Sequence, residues 1–176
     1  MRLLVCSLLV LGGAGTAHAG DEQWQVTLVP AYAVVDFDAR SPSGVGAAAE
    51  LGYGLSDAWT VRTTVVLSAH PADADKSKML PEGTLTVLGG FAGLRYAFDV
   101  LKTVPYLDLG LGFLWAQGAG GKSSTNLSYE AAIGFDHLES PRWSWGLQVA
   151  YHGFLPNYSQ LPVYLYAGPT FAWRWE

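Results

Sequence analysis

From Gln23 onward the chain alternates apolar residues with polar or small ones at a period of two. This is the spacing of a strand that shows one face to an apolar environment. Eight such runs are predicted, at 23–35, 45–55, 59–70, 84–98, 105–116, 126–136, 143–154 and 163–175, each bounded by Gly, Pro, Asp, Asn or Ser. No run carries a strong helical period. Neither an exact repeat nor a low-complexity linker divides the chain. The start of the fourth run, Thr84 to Val87, breaks phase and predicts a bulge there.

Sorting each run into its two faces gives unequal results. One face is uninterruptedly apolar, as in Trp24, Val26, Leu28, Pro30, Tyr32 and Val34 of the first run, or Leu107, Leu109, Leu111, Phe113 and Trp115 of the fifth. All seven tryptophans fall on it. The other face carries Glu50, Arg62, Arg95, Asp108, Glu130 and Arg174, with Thr60, Thr64, Ser68, Gln148, Tyr166 and many glycines.

Composition turns this pattern into an architecture. Half of the 176 residues are hydrophobic and only 14% are charged, against roughly 25% charged in ordinary soluble domains. The apolar surface therefore exceeds what a soluble surface hides, yet no run approaches the ~20 apolar residues of a membrane helix. Two closed sheets remain: a soluble barrel with its apolar face inside, and a membrane barrel with that face toward lipid. The polar face lacks lysine, which a water-facing surface would carry. Its glycines suit the crowded interior of an eight-stranded barrel, and so many large apolar side chains would overfill that interior. The reading is an all-β, eight-stranded, antiparallel up-and-down transmembrane β-barrel. Closure satisfies every backbone group without water, the condition for crossing lipid.

The segments outside the strands agree. Met1-Arg2, the apolar stretch Leu3 to Leu11 and Ala17-His18-Ala19 form a signal peptide over 1–19, leaving the barrel as 20–176. The single cysteine, Cys6, lies inside that peptide, so the exported chain has no disulfide. Links after the second, fourth and sixth strands are short (56–58, 99–103 and 137–142), and most of the others are longer. Short periplasmic turns and longer outer loops, with both termini periplasmic, follow. A formal net charge of −5 without a basic cluster speaks against nucleic acid as a partner.

The stretches GLSDAWTV (54–61), GLRYAF (93–98) and PYLDLGLGF (105–113) resemble the turn-flanking strands of the small OmpA-type outer-membrane β-barrel proteins. Gly168-Pro169-Thr170-Phe171-Ala172-Trp173 resembles their C-terminal assembly signal, read by the barrel-insertion machinery; here Glu176 follows the final aromatic residue, a departure from the class. The resemblance implies a protein of the outer membrane of a Gram-negative-type bacterium, with outer-membrane lipid as its surroundings.

Candidate chemistry is sparse. Glu50 with Arg62, and Arg95 with Asp108, sit across tight turns and are expected to pair diagonally. Glu130 and Arg174 need a further contact. A balanced internal network that closes the lumen is the expectation, because buried charges must be paired. Trp24, Tyr53, Trp59, Phe98, Trp115, Phe135, Trp143, Trp145, Trp173 and Trp175 are candidates for an interfacial aromatic girdle. Pro30 and Pro169 sit in the first and last strands, where neither can donate to the ladder. They mark a bend, or a lateral seam for an apolar molecule, which resembles the proline-interrupted strands of the palmitoyltransferase barrels. Ser68, His70 and His152 share the polar face near the outer end and are read as rim residues; no catalytic motif surrounds them. His137 is read as solvated in a turn. The outer loops, with Asp73, Asp75, Lys76, Lys78 and Glu82, are a place for an unknown ligand. No cofactor and no metal cluster is expected. The function read from these features is non-catalytic, structural or surface-interacting. Its alternatives are a narrow channel for small or apolar solutes and a lipid A-modifying enzyme.

Overall fold

The computed structural model describes residues 22–36, 42–72, 82–98, 102–118, 121, 123–155 and 163–176. The expected signal peptide 1–19 and most residues of the loops expected to face outward lie outside the described residues. Eight strands run β1 (Trp24–Val35), β2 (Ser43–Gly54), β3 (Trp59–Ala72), β4 (Gly83–Ala97), β5 (Thr103–Gln117), β6 (Ser123–Ser140), β7 (Trp143–Phe154) and β8 (Tyr164–Trp175). Each pairs antiparallel with its sequence neighbour, and β1 pairs with β8 to close the barrel.

The alternation determines which side faces where. Leu109, Leu111, Phe113 and Ile133 are exposed on the outside, while their neighbours Asp108, Leu114 and Ala132 are buried. An exterior of this kind is a lipid-facing band. Strands of twelve residues, tilted as in such barrels, rise roughly 30 Å, the thickness of a bilayer core.

The interior departs from a uniformly polar lumen. Glu50, Arg62, Arg95, Asp108 and Glu130 occupy its middle, and Asp136 and Arg174 lie nearer the termini. Toward the loop end the inward side chains become apolar: Val29, Ala33, Val35, Val66, Leu85, Val87, Phe91, Leu114, Ala116 and Phe154 form one packed cluster. Leu85 and Val87 explain the broken phase at the start of β4. Their strand pairs with β3 in unbroken register, from Ala72–Gly83 through Ser68–Val87. The expected bulge is therefore absent there. Apolar side chains point inward instead, because this level of the lumen is a hydrophobic core. The register shift among the described strands lies between Leu138 and Ser140 in the β6–β7 pair. β6 also runs past the predicted end at 136, which puts His137 on a strand, half-buried, with its Nδ1 2.9 Å from Thr103 Oγ1 and its ring 5.3 Å from that of Trp145.

Candidate functional site

Because inward residues recur at every second position and the strands are staggered, side chains from six strands converge at one level. Arg95 of β4 grips Asp108 of β5 with two hydrogen bonds, from Nε and Nη2, each 2.8 Å. Its Nη2 also donates to Glu50 of β2 at 2.8 Å, and its guanidinium lies 3.8 Å from the centre of the Tyr106 ring. Arg62 of β3 donates to Glu130 of β6 at 2.7 Å, and lies 3.4 Å from Glu50 and 3.5 Å from Asp108. Gln148 of β7 donates to Glu50 at 3.0 Å and to Asp108 at 3.4 Å. The two tight-turn pairs come together, Glu50 diagonal to Arg62 as expected but Arg95 directly opposite Asp108 rather than diagonal to it, and Glu130 finds its cation in Arg62.

Arg174 stands apart from that cluster. Its Nη2 meets Asp136 Oδ2 at 3.3 Å, and it donates to Gln25 at 2.8 Å and Ser144 at 3.0 Å. Asp136 also accepts from Thr170 at 3.2 Å. Asp136 belongs to the charged set, although the sequence placed it at a strand end beside a turn. The three-to-three balance is thereby corrected: among the described lumen residues, Glu50, Asp108, Glu130 and Asp136 face Arg62, Arg95 and Arg174.

Above this layer sit His70 and His152, both fully buried rather than solvated at a rim. The reason is that Leu85, Val87 and Phe154 close over that level. Ser68 Oγ lies 2.8 Å from His70 Nε2. His152 packs against Phe91, Tyr164 and Tyr166, with ring centres 4.6, 5.1 and 5.6 Å away. Its Nε2 is 3.9 Å from Glu130 Oε2, and neither atom has a hydrogen-bond partner among the described residues.

The aromatic candidates divide between the two ends. Trp24, Tyr53, Trp59, Phe98, Phe135, Trp143, Trp145, Trp173 and Trp175 cluster toward the end that carries the termini. Trp24 packs on Tyr53 at 5.0 Å, Trp59 on Tyr96 at 4.9 Å, and Trp143 stacks on Phe171 at 6.1 Å. Trp115 lies at the opposite end, opposite Leu88 and Thr125. A single ring of ten is thus corrected, because β5 runs away from the termini and carries Trp115 to its far end.

The closure between β1 and β8 holds the other candidate. Paired rungs stop at Leu28–Phe171 and resume at Tyr32–Ala167 in the same register, which sets Pro30 directly opposite Pro169. Asp36 N donates to Val163 O at 2.8 Å on the same register. Even-numbered residues of β1 therefore turn their N–H and C=O toward β8. Pro30 and Pro169 occupy a rung that would exchange two hydrogen bonds, and neither has an N–H to give. Both rings are exposed on the lipid-facing side. Toward β2 and β7 the ladders continue unbroken, through Pro30–Ala47 and Leu147–Pro169.

A closed eight-stranded antiparallel barrel, apolar outside and ionic at mid-lumen, has the architecture of the small outer-membrane barrels of OmpA type. Comparison with solved structures agrees. The chain is similar to OprG of Pseudomonas aeruginosa (TM-score 0.65, 12% identity, 89% of this chain and 97% of that one). It is similar also to Neisserial surface protein A (TM-score 0.63, 17% identity, 84% and 95%). A third likeness is to Ail, the attachment invasion locus protein of Yersinia pestis (TM-score 0.61, 15% identity, 88% and 99%). No protein-family profile matches the chain, and no curated protein does.

Proposed function

We propose that the protein is an integral outer-membrane barrel with a closed lumen and a non-catalytic, structural or surface-interacting role. The observation that carries this reading is the ionic layer that Arg62 and Arg95 tie together across β2 to β6, joined from β7 by Gln148 and roofed by the apolar cluster around Val87, Phe91 and Leu114. Two successive layers of packed side chains support a lumen without the water-filled path a porin keeps. In the same reading the signal peptide 1–19 exports the chain. The C-terminal strand engages the insertion machinery, the termini face the periplasm, and the tryptophan-rich end seats at the inner interface. The outer loops then meet whatever ligand or partner the protein has. One structural neighbour, Ail, is an attachment invasion locus protein and has been solved with the heparin analogue sucrose octasulfate, which supports the surface-interaction side of the proposal.

Planar-bilayer recording tests the closed lumen. The expected trace has no resolved unit conductance; steady unit steps would overturn it. The Ser68–His70 pair is buried beneath the outer apolar layer, where no lipid headgroup reaches it. Lipid A from expressing cells is accordingly expected to keep its mass spectrum, and altered acylation would overturn the non-catalytic role.

A further inference from the structure

The unmade rung between β1 and β8 leaves two strong acceptors in a place where backbone groups are normally all paired. The carbonyl oxygens of Pro30 and Pro169 each face a position whose N–H has been replaced by a ring carbon. Midway along both strands, this rung lies deep in the apolar band, where an unsatisfied backbone group is costly and water is scarce. Around it on the lipid side stand Leu28, Tyr32 and Phe171, all exposed. Gly168 adds no side chain; a Cβ there would lie only 2.0 Å from Pro30 O. Gly168 stands on the lumen-facing phase of β8, so bare backbone borders the oxygen on that side, while Pro30 and Pro169 themselves are exposed on the lipid side.

We propose that this seam is a hydrogen-bonding site for an apolar chain bearing a hydroxyl group, such as a long-chain alcohol. The chain lies among Leu28, Tyr32 and Phe171, and its hydroxyl donates to the Pro30 or Pro169 carbonyl. The hydroxyl supplies the donor that the prolines remove, and the apolar chain supplies the solubility at that depth that water lacks. The site recognises its ligand from the bilayer side. It depends on the lipid-facing position of the prolines and not on whether the lumen conducts, so its failure and that of the closed-lumen proposal are read in separate experiments.

The test is carbonyl 13C and amide 15N spectroscopy of the barrel in dodecylphosphocholine micelles, titrated with 1-dodecanol or with n-dodecane. Dodecanol is expected to move the Pro30 and Pro169 carbonyl resonances and the Ala31 and Gly168 amides saturably, while dodecane leaves the carbonyls in place. In the double variant Pro30→Ala with Pro169→Ala, each new N–H pairs with the opposite carbonyl, and the dodecanol response falls at least tenfold. Heat-modifiable migration on gels checks that the variants fold, and the single variant Pro30→Ala, which satisfies one carbonyl and leaves the other, serves if the double does not. Equal responses to both titrants would reveal a greasy cleft without donor recognition and would overturn the proposal. A response that persists in the double variant would do the same, as would a water cross-peak at the carbonyls that dodecanol does not displace.

Discussion

Replacing Arg95 by Met removes the cation that holds two strands' carboxylates at once. Arg95 makes three hydrogen bonds of 2.8 Å, two to Asp108 and one to Glu50, all buried. Charge-assisted bonds contribute about 1.5–3 kcal/mol each, but a simple sum overstates the loss. Arg62 at 3.4 and 3.5 Å and Gln148 at 3.0 and 3.4 Å still reach the same two carboxylates. A loss of about 3–5 kcal/mol is expected, the usual consequence of leaving a buried charge without its partner. With an m-value of about 4 kcal/mol/M in guanidinium, the unfolding midpoint falls by about 1 M at unchanged m. Tryptophan fluorescence of the barrel refolded into bilayers follows the transition. Adding Asp108→Leu to Arg95→Met removes the stranded carboxylate and is expected to recover most of the loss, since an apolar replacement of a buried pair is often neutral or stabilising. The coupling is read from the double-mutant cycle. A single-variant loss below about 1 kcal/mol, or a double variant no better than the single, would refute the view that this layer is held by Arg95.

Other perturbations test other parts. At Gly112 a Cβ would lie 2.0 Å from the Gly90 carbonyl oxygen and 2.7 Å from Phe91 Cα. Gly112→Ala is therefore expected to cost about 1–3 kcal/mol or to block refolding. Gly90 has nothing within 4 Å, and Gly90→Ala is expected to be neutral or to gain up to about 1 kcal/mol; both are read by refolding yield and denaturant midpoint. Leu114→Ala, in the apolar roof of the lumen, is expected to lose about 2–5 kcal/mol through its cavity, measured the same way. Ile133, 62% exposed at mid-height of the lipid face, is expected to cost about 2–4 kcal/mol when changed to Arg. A negligible effect in bilayers would contradict its lipid-facing position.

Much of this barrel is local, and what is local was legible. A strand turns successive side chains to opposite faces whatever it pairs with. Leu107, Leu109, Leu111 and Phe113 therefore declared one face, and Asp108, Gly110 and Gly112 the other, before any partner was known. Strand number, strand phase and the outward direction of the apolar face follow from that period, together with the scarcity of charge and the absence of lysine on the polar face. The short links at 56–58 and 99–103 put Glu50 near Arg62 and Arg95 near Asp108, because a tight turn fixes the register of the two strands it joins.

What the sequence left open depends on closure. Glu130 meets Arg62 across the lumen from β6 to β3, and Arg174 meets Asp136 from β8 to β6. Neither contact joins adjacent strands, so only the stagger of the closed sheet brings them together. Asp136 was hidden because β6 continues to Ser140, past the point where the alternation gives way to polar residues. The apolar roof was hidden for a different reason: the inward face was read from its charges and glycines, whereas Leu85, Val87 and Leu114, on that same face, pack together toward the loop end. Two prolines in the first and last strands were visible from the start. That they share one rung is a property of the β1–β8 register, which exists only once the ends of the chain have met.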